Sequence, residues 1–242
     1  MTPLENLVVV LALCAVLSAI SYKFKLLTAS GSLAAFLMGV VVGVFGSINW
    51  LLLLIVFTVA GFLVTRFRLE IKVQQGLQEG KRGERTWRNV LANGLVPMLV
   101  AVGAWGLGMQ GTEEAGLIYL TSIGVAASDT IASELGVLSG KAKLITTMSP
   151  VPPGTDGGVS LLGTFWAFMG ALLASVLGWA IIFPGTWPDY QILIPIVLGF
   201  LGCNIDSLIG ATWERSGKVS KLGTNILSMA IATAIAALIL SI

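Results

Sequence analysis

Histidine is absent from the 242-residue chain. That removes imidazole-dependent serine and cysteine triads and every histidine-based zinc site. Cysteine is nearly absent too: Cys14 and Cys203 both sit in apolar stretches, so neither a disulfide framework nor a CxxC metal site is available. Charge is scarce, at 11% of residues, less than half of the roughly one quarter usual in soluble domains. Formal net charge is only +2, too small to suggest nucleic acid as a partner. What fills the chain is apolar: 56% of residues are hydrophobic and the mean hydropathy is +0.93. The expected fold is an all-α polytopic transmembrane bundle, residues 1–242 forming a single integral membrane domain.

Eight apolar runs can be drawn, each near the ~20 residues a helix needs to cross the hydrocarbon core. They cover Leu4 to Tyr22, Leu27 to Phe45, Ile48 to Thr65, Val90 to Gly108, Gly116 to Leu138, Val159 to Phe183, Ile192 to Trp213 and Leu222 to Ile242. None alternates with period two over ten residues, which argues against an outer-membrane barrel. The first run has no basic n-region and no small-residue cleavage site before Lys23, so it is expected to be a span and not a cleaved signal peptide.

The charges test this count. Lys23 and Lys25 follow the first span, and Arg66, Arg68, Lys72, Lys81, Arg82, Arg85 and Arg88 follow the third. Lys141 and Lys143 follow the fifth, and Arg215, Lys218 and Lys221 the seventh. All fourteen Lys and Arg thus fall on one side, while Glu5, Glu113, Glu114 and Asp189 occupy the other. The positive-inside rule then predicts both termini outside and four cytoplasmic basic connections. The 66–89 connection reads as a basic loop or partly helical hairpin able to act as a lid, and 139–159 as a Gly/Pro loop. A faint echo, Thr28 to Gly31 against Thr155 to Gly158 at an offset of 127 residues, followed by Phe36, Met38 and Gly39 against Phe168, Met169 and Gly170 at a slightly larger offset, suggests a 4+4 parallel duplication.

Most glycines in these spans need only a packing role, since small residues let helices approach closely in a bilayer. Carboxylates are different, because one at mid-membrane costs about 2.5–3.5 kcal/mol on insertion scales. The fifth span ends Ser128-Asp129-Thr130-Ile131-Ala132-Ser133-Glu134-Leu135-Gly136. Helical periodicity puts Asp129, Ser133 and Gly136 on one face, with Thr130 and Glu134 on the next stripe. Asp206 lies near the cytoplasmic end of the seventh span, and Asn89 and Asn93 near the start of the fourth. Asp129, Glu134 and Asp206 are candidate catalytic and metal-holding groups, a hard-oxygen set suited to Mg²⁺. The alternative for each is an interhelical hydrogen bond.

Between the fifth and sixth spans, Pro153-Gly154-Thr155-Asp156-Gly157-Gly158 leads into a helix. Converging backbone amides and a helix N-terminus make a plausible phosphate cradle, with Lys141 and Lys143 adding charge. It is not a P-loop, because GxxxxGK[ST] is missing. Acids for Mg²⁺ beside amides and lysines for phosphate are the parts that phosphoryl transfer requires.

Read together, the segments SDTIASELG (128–136), PVPPGTDGGVSLLGT (150–164) and NIDSLIGA (204–211) resemble the transmembrane-protein-19 family, an integral membrane family that includes the plant phytyl-phosphate kinase. Weaker resembling blocks are ASGSLAAFLMGVVVG (29–43), RTWRNVLANG (85–94) and TNILS (224–228), in an order that spans nearly the whole chain. The DTIASE block is also similar to the acidic motifs of dolichol kinase and phosphatidate cytidylyltransferase. The resemblance implies transfer of a terminal phosphoryl group from a nucleoside triphosphate, CTP by preference, to an isoprenyl monophosphate such as phytyl or geranylgeranyl phosphate. It implies that Asp129 and Glu134 hold metal and phosphates with support from Thr130 and Ser133, and that Thr155, Gly157, Gly158 and Ser160 line the triphosphate. Arg85, Arg88, Asn89 and Asn93 would then meet the acceptor phosphate. Partners would be membrane lipids, the nucleotide and the isoprenyl phosphate, without nucleic acid; a homodimer is compatible with the sequence. Competing readings are a cytidylyltransferase making a CDP-lipid, a transporter and a scaffold. The outer halves of the spans are nearly bare of charge, which counts against the transporter.

Overall fold

The computed structural model describes residues 2–78 and 83–241. Among the described residues eight helices are long and apolar enough to cross a membrane, and together they make the all-α polytopic bundle that the composition demands. In chain order the helices are α1 (Pro3–Lys23), α2 (Ala29–Val41), α3 (Ile48–Arg66), α4 (Leu69–Gln74), α5 (Trp87–Gly106), α6 (Glu113–Gly136), α7 (Leu161–Ile182), α8 (Leu193–Ile209) and α9 (Lys221–Leu240). π-helical turns extend α2 through Val42–Gly46 and α8 through Gly210–Glu214. The short α4 is not a span.

The helix starts follow from hydroxyl residues. Thr2, Thr28, Ser47, Thr112, Ser160 and Ser220 each accept a backbone N–H at an N-cap, a geometry that removes one orphan donor per helix. At α5 the side chain of Asn89 accepts from the backbone N–H of Thr86 at 2.9 Å. That contact starts the helix at Trp87, three residues before the apolar run begins at Val90.

Helix α6 is the central element and packs against α3, α5, α7, α8 and α9. Tyr119 is fully buried, stacks on Trp50 with centroids 4.3 Å apart, and donates its hydroxyl to the Trp50 carbonyl at 2.9 Å. Ser128 donates to the carbonyl of Ala167 on α7 at 2.7 Å. Nearby, a Cβ on Gly136 would lie 2.9 Å from the Cα of Gly163, so the α6–α7 crossing depends on two glycines meeting. The first helix lies at the edge, packed on α2 and its terminal turn.

The C-termini of α3, α6 and α8 meet the N-termini of α5, α7 and α9 at one end of the bundle. There the α1–α2 connection is tied to the approach to α5: Thr28 donates its backbone N–H to the Arg85 carbonyl at 3.1 Å, and Arg85 returns one to Leu26 at 3.0 Å. The 139–159 segment is more ordered than an open Gly/Pro loop. It folds into a small antiparallel sheet, order β2-β1-β3, with β1 at Ala142–Leu144, β2 at Pro150–Val151 and β3 at Gly158–Val159. Strands of two or three residues are too short to leave a period-two signal. In the 66–89 connection α4 supplies the helical part, whereas Gly80, Lys81 and Arg82 lie outside the described residues. Both cysteines are buried and unpaired.

Candidate active site

A cavity of about 860 Å³ opens at this polar end. It is walled by the first turns of α5, α7 and α9, the last turns of α6 and α8, and the loop from Pro153 to Ser160, with Gly76, Leu77 and Gln78 on one side. Nearly every polar residue singled out from the sequence lines it.

Asp129 projects from α6 and Asp206 from α8, and both line the cavity. Helix α9 joins them. Asn225 donates to Asp129 at 3.3 Å, and Ser228, three residues on, donates to Asp206 at 3.1 Å. The two carboxylates lie within electrostatic reach of each other. Three helices therefore bring two hard anionic groups and an amide to one wall.

Glu134 does not join this pair. Five residues beyond Asp129, it is turned by about 140° around the helix axis, toward α3. One of its oxygens accepts from Thr65 at 2.7 Å and the other from Lys72 at 2.6 Å. Lys72 is 0% exposed and also donates to the carbonyls of Val64 and Thr65. A residue that the sequence presented as loop charge is thus the buried tie between α4, the end of α3, and α6. Among the described residues no group of three or more His, Cys, Asp or Glu is arranged to hold a metal ion. Glu134 lines the same cavity, but its two oxygens are taken by Thr65 and Lys72, so the expected acidic trio is present as a pair plus a separately bound third member.

The buried network continues through Thr65 to Arg85, which donates to the Thr65 hydroxyl at 3.0 Å and the Gly61 carbonyl at 3.4 Å and lies over the Phe62 ring. A Cβ at position 61 would come within 3.0 Å of the guanidinium, so Gly61 makes room for it. Arg85 lines the cavity as a fixed cation. Arg88 is exposed and stacks over Trp87 at the mouth. Asn89 lines the cavity, yet its side-chain oxygen serves the cap of α5. Asn93 lines the cavity, and its side-chain oxygen is buried with no hydrogen-bond partner among the described residues.

The Gly/Pro loop departs from the expected cradle. Gly154 and Gly157 adopt φ of +80° and +74°, a left-handed region that favours glycine. The Gly158 N–H bonds the Thr155 carbonyl at 2.8 Å, and the Thr155 hydroxyl bonds the Pro152 carbonyl at 2.7 Å. These donors close the turn itself instead of facing a phosphate. Ser160 caps α7 through the Gly163 N–H at 3.0 Å. Thr130 and Ser133 line the cavity, Ser133 bonding the Thr130 carbonyl. Lys141 and Lys143 do not line it. They flank Ala142 on β1, and since Ala142 is the residue that faces the cavity, strand alternation sends both lysines to solvent.

Sequence reasoning missed Lys72, Asn225 and the cavity position of Lys221. Asn225 lies within the TNILS block, and its spacing to Ser228 was the available signal. Lys72 carried none, since one basic residue among seven in a connection looks like the rest.

Gly157 also sets the cavity's shape. Its backbone crosses the π turn after α8, where an added Cβ would collide with the backbone of Ala211. Gly157→Ala combines that clash with about 1–2 kcal/mol of backbone strain. Thermal unfolding in detergent should report a loss of at least that size, and a neutral outcome would mean the loop does not rest on α8.

The profile of a family described as integral membrane protein DUF92 matches residues 12–238. The uncharacterized membrane protein MJ0933 of Methanocaldococcus jannaschii is 34% identical over 241 residues, covering 99% of this chain and 96% of that protein. Membrane protein sll0875 of Synechocystis is 34% identical over 208 residues, or 82% of this chain and 76% of its own length. Protein VTE6, chloroplastic, of Arabidopsis thaliana is 30% identical over 193 residues, which is 78% of this chain and 56% of the relative. No solved structure matches.

Proposed function

Since the chain belongs to the DUF92 family of integral membrane proteins, the transmembrane-protein-19 family that its motifs resemble, we propose that it is a membrane-embedded kinase. It transfers the terminal phosphoryl group of a nucleoside triphosphate, CTP by preference, to an isoprenyl monophosphate and releases the diphosphate. The observation that carries this reading is the single cavity in which the Asp129–Asp206 pair, the Gly/Pro loop and the Arg85–Asn93 face of α5 meet.

The donor set fits Mg²⁺, an ion that takes one or two carboxylates and leaves its other positions to water and phosphate oxygens. Asp129 and Asp206 would hold it, and it would supply neutralisation of the phosphate charge. Asn225 and Ser228 fix the orientation of the two carboxylates. Arg85, anchored by Gly61 and Thr65, presents a rigid positive wall, while Arg88 and Trp87 at the mouth suit a charged head attached to a lipid tail. The Asn93 amide supplies an orienting contact. An acceptor phosphate is already nucleophilic at neutral pH, so positioning and charge neutralisation suffice. The absence of histidine is no obstacle to this chemistry.

All fourteen basic residues fall on one side of an eight-span arrangement, which supports both termini outside and the cavity on the cytoplasmic face. A nucleotide from the cytoplasm and a lipid from the inner leaflet can meet only there. The test is incubation of purified protein with Mg²⁺, labelled CTP and phytyl or geranylgeranyl phosphate. Label from the γ-phosphate should appear in the lipid diphosphate. Label from the α-phosphate in the lipid would instead identify a cytidylyltransferase, and no labelled lipid from any nucleotide would sink the kinase reading.

A further inference from the structure

With Lys141 and Lys143 exposed to solvent and the Gly158 N–H and Thr155 hydroxyl used inside the turn, the donor's phosphate chain loses both lysines that the sequence offered it. Among the described residues three cations line the cavity: Arg85, Arg88 and Lys221. Arg85 is committed to Gly61, Thr65 and the Phe62 ring, and Arg88 stands at the exposed mouth over Trp87. Lys221 is the cation beside the acid pair.

Its position follows from the periodicity of α9. Lys221, Asn225 and Ser228 are spaced i, i+4, i+7 and share one face of the helix. The lower two members hold Asp129 and Asp206, so the third stands one turn, about 6 Å, nearer the open end of the same wall. Asp206 and Glu214 lie within electrostatic reach of it. A lysine in the first turn of a helix opposes the helix dipole, so its presence there does not serve helix stability.

We propose, building on the kinase reading, that Lys221 grips the phosphate chain of the donor nucleotide, directly above the carboxylates that hold its metal. The side chain would trade its interaction with the cavity acids for the more highly charged triphosphate when nucleotide enters. Lys221, Asn225 and Ser228 then form one ladder, whose top rung meets substrate and whose lower rungs orient the acids.

Equilibrium binding of labelled CTP to the full chain in detergent, with and without Mg²⁺, tests this. Lys221→Met should weaken CTP binding about 10–100-fold and lower kcat by about 100-fold, the scale for losing one charged contact to a transferring group. Lys221→Arg should retain most of the affinity, since it keeps the charge. Lys218→Met, an exposed lysine outside the cavity, controls for loss of general surface charge and should bind as wild type does. Unchanged CTP affinity in Lys221→Met, or an equal loss in Lys218→Met, overturns the assignment. A wild-type chain that binds no nucleotide would instead remove the kinase reading itself. Lys221 is exposed, and thermal unfolding of each variant checks that the comparison is between folded proteins.

Discussion

Asp129→Asn should lower phosphoryl transfer at least about 1,000-fold while leaving a folded protein, because charge neutralisation carries most of the barrier reduction in this chemistry. The substitution is nearly isosteric. An asparagine oxygen can still accept the Asn225 amide that Asp129 accepts at 3.3 Å, so the α6–α9 contact survives. The change also leaves the packing around Asp206 in place, so unfolding in detergent should not be easier. Asp206→Asn should have a comparable effect for the same reason. Groups that act as a unit are grossly non-additive, so the double variant should be little worse than either single one. Measured turnover near wild type in Asp129→Asn would end the site assignment, and strictly multiplicative losses would mean the two acids do separate work.

The largest effect on stability is expected at Lys72. Lys72→Met removes the partner of a carboxylate that is itself buried, and breaking such a pair from one side costs about 3–5 kcal/mol. The melting temperature in detergent should fall by roughly 10 °C. The double variant Lys72→Met/Glu134→Leu should recover most of this loss, because neither charge is then left unpaired in the interior. The pair of variants also decides what Glu134 does. If it ties α4 and α3 to α6, the double variant stays folded and keeps turnover within about tenfold of wild type. A stable but inactive double variant would return Glu134 to the metal-holding set.

The contrast between these two acids shows where sequence reading stops. Asp129 and Glu134 sit five residues apart in one motif, and both are rare, costly groups in an apolar span. Periodicity separated their faces, but only the packing of α3 and α4 against α6 revealed that one face is already filled. Lys72 was invisible for a related reason. It belongs to a six-residue helix too short to show its own hydrophobic period, and its charge was absorbed into a count of loop lysines. Likewise the short strand β1 gave no alternation to read, so the aim of Lys141 and Lys143 had to wait for the position of Ala142.

By itself the sequence determined that this chain crosses a membrane eight times and that its polar groups collect at one end. Hydrocarbon forces long apolar helices, and basic residues segregate to one side, so both properties are written in composition and order. It also supplied both members of the acid pair and most of the other site candidates that line the cavity, because carboxylates and amides in apolar spans are expensive enough to be conspicuous. The tertiary structure decided which of them meet. Hydrogen bonds from Asn225 and Ser228 pair Asp129 with Asp206, a buried lysine takes Glu134 away, and the helical repeat of α9 raises Lys221 above the acids. Those outcomes depend on angles between helices distant in the chain, which no linear spacing encodes.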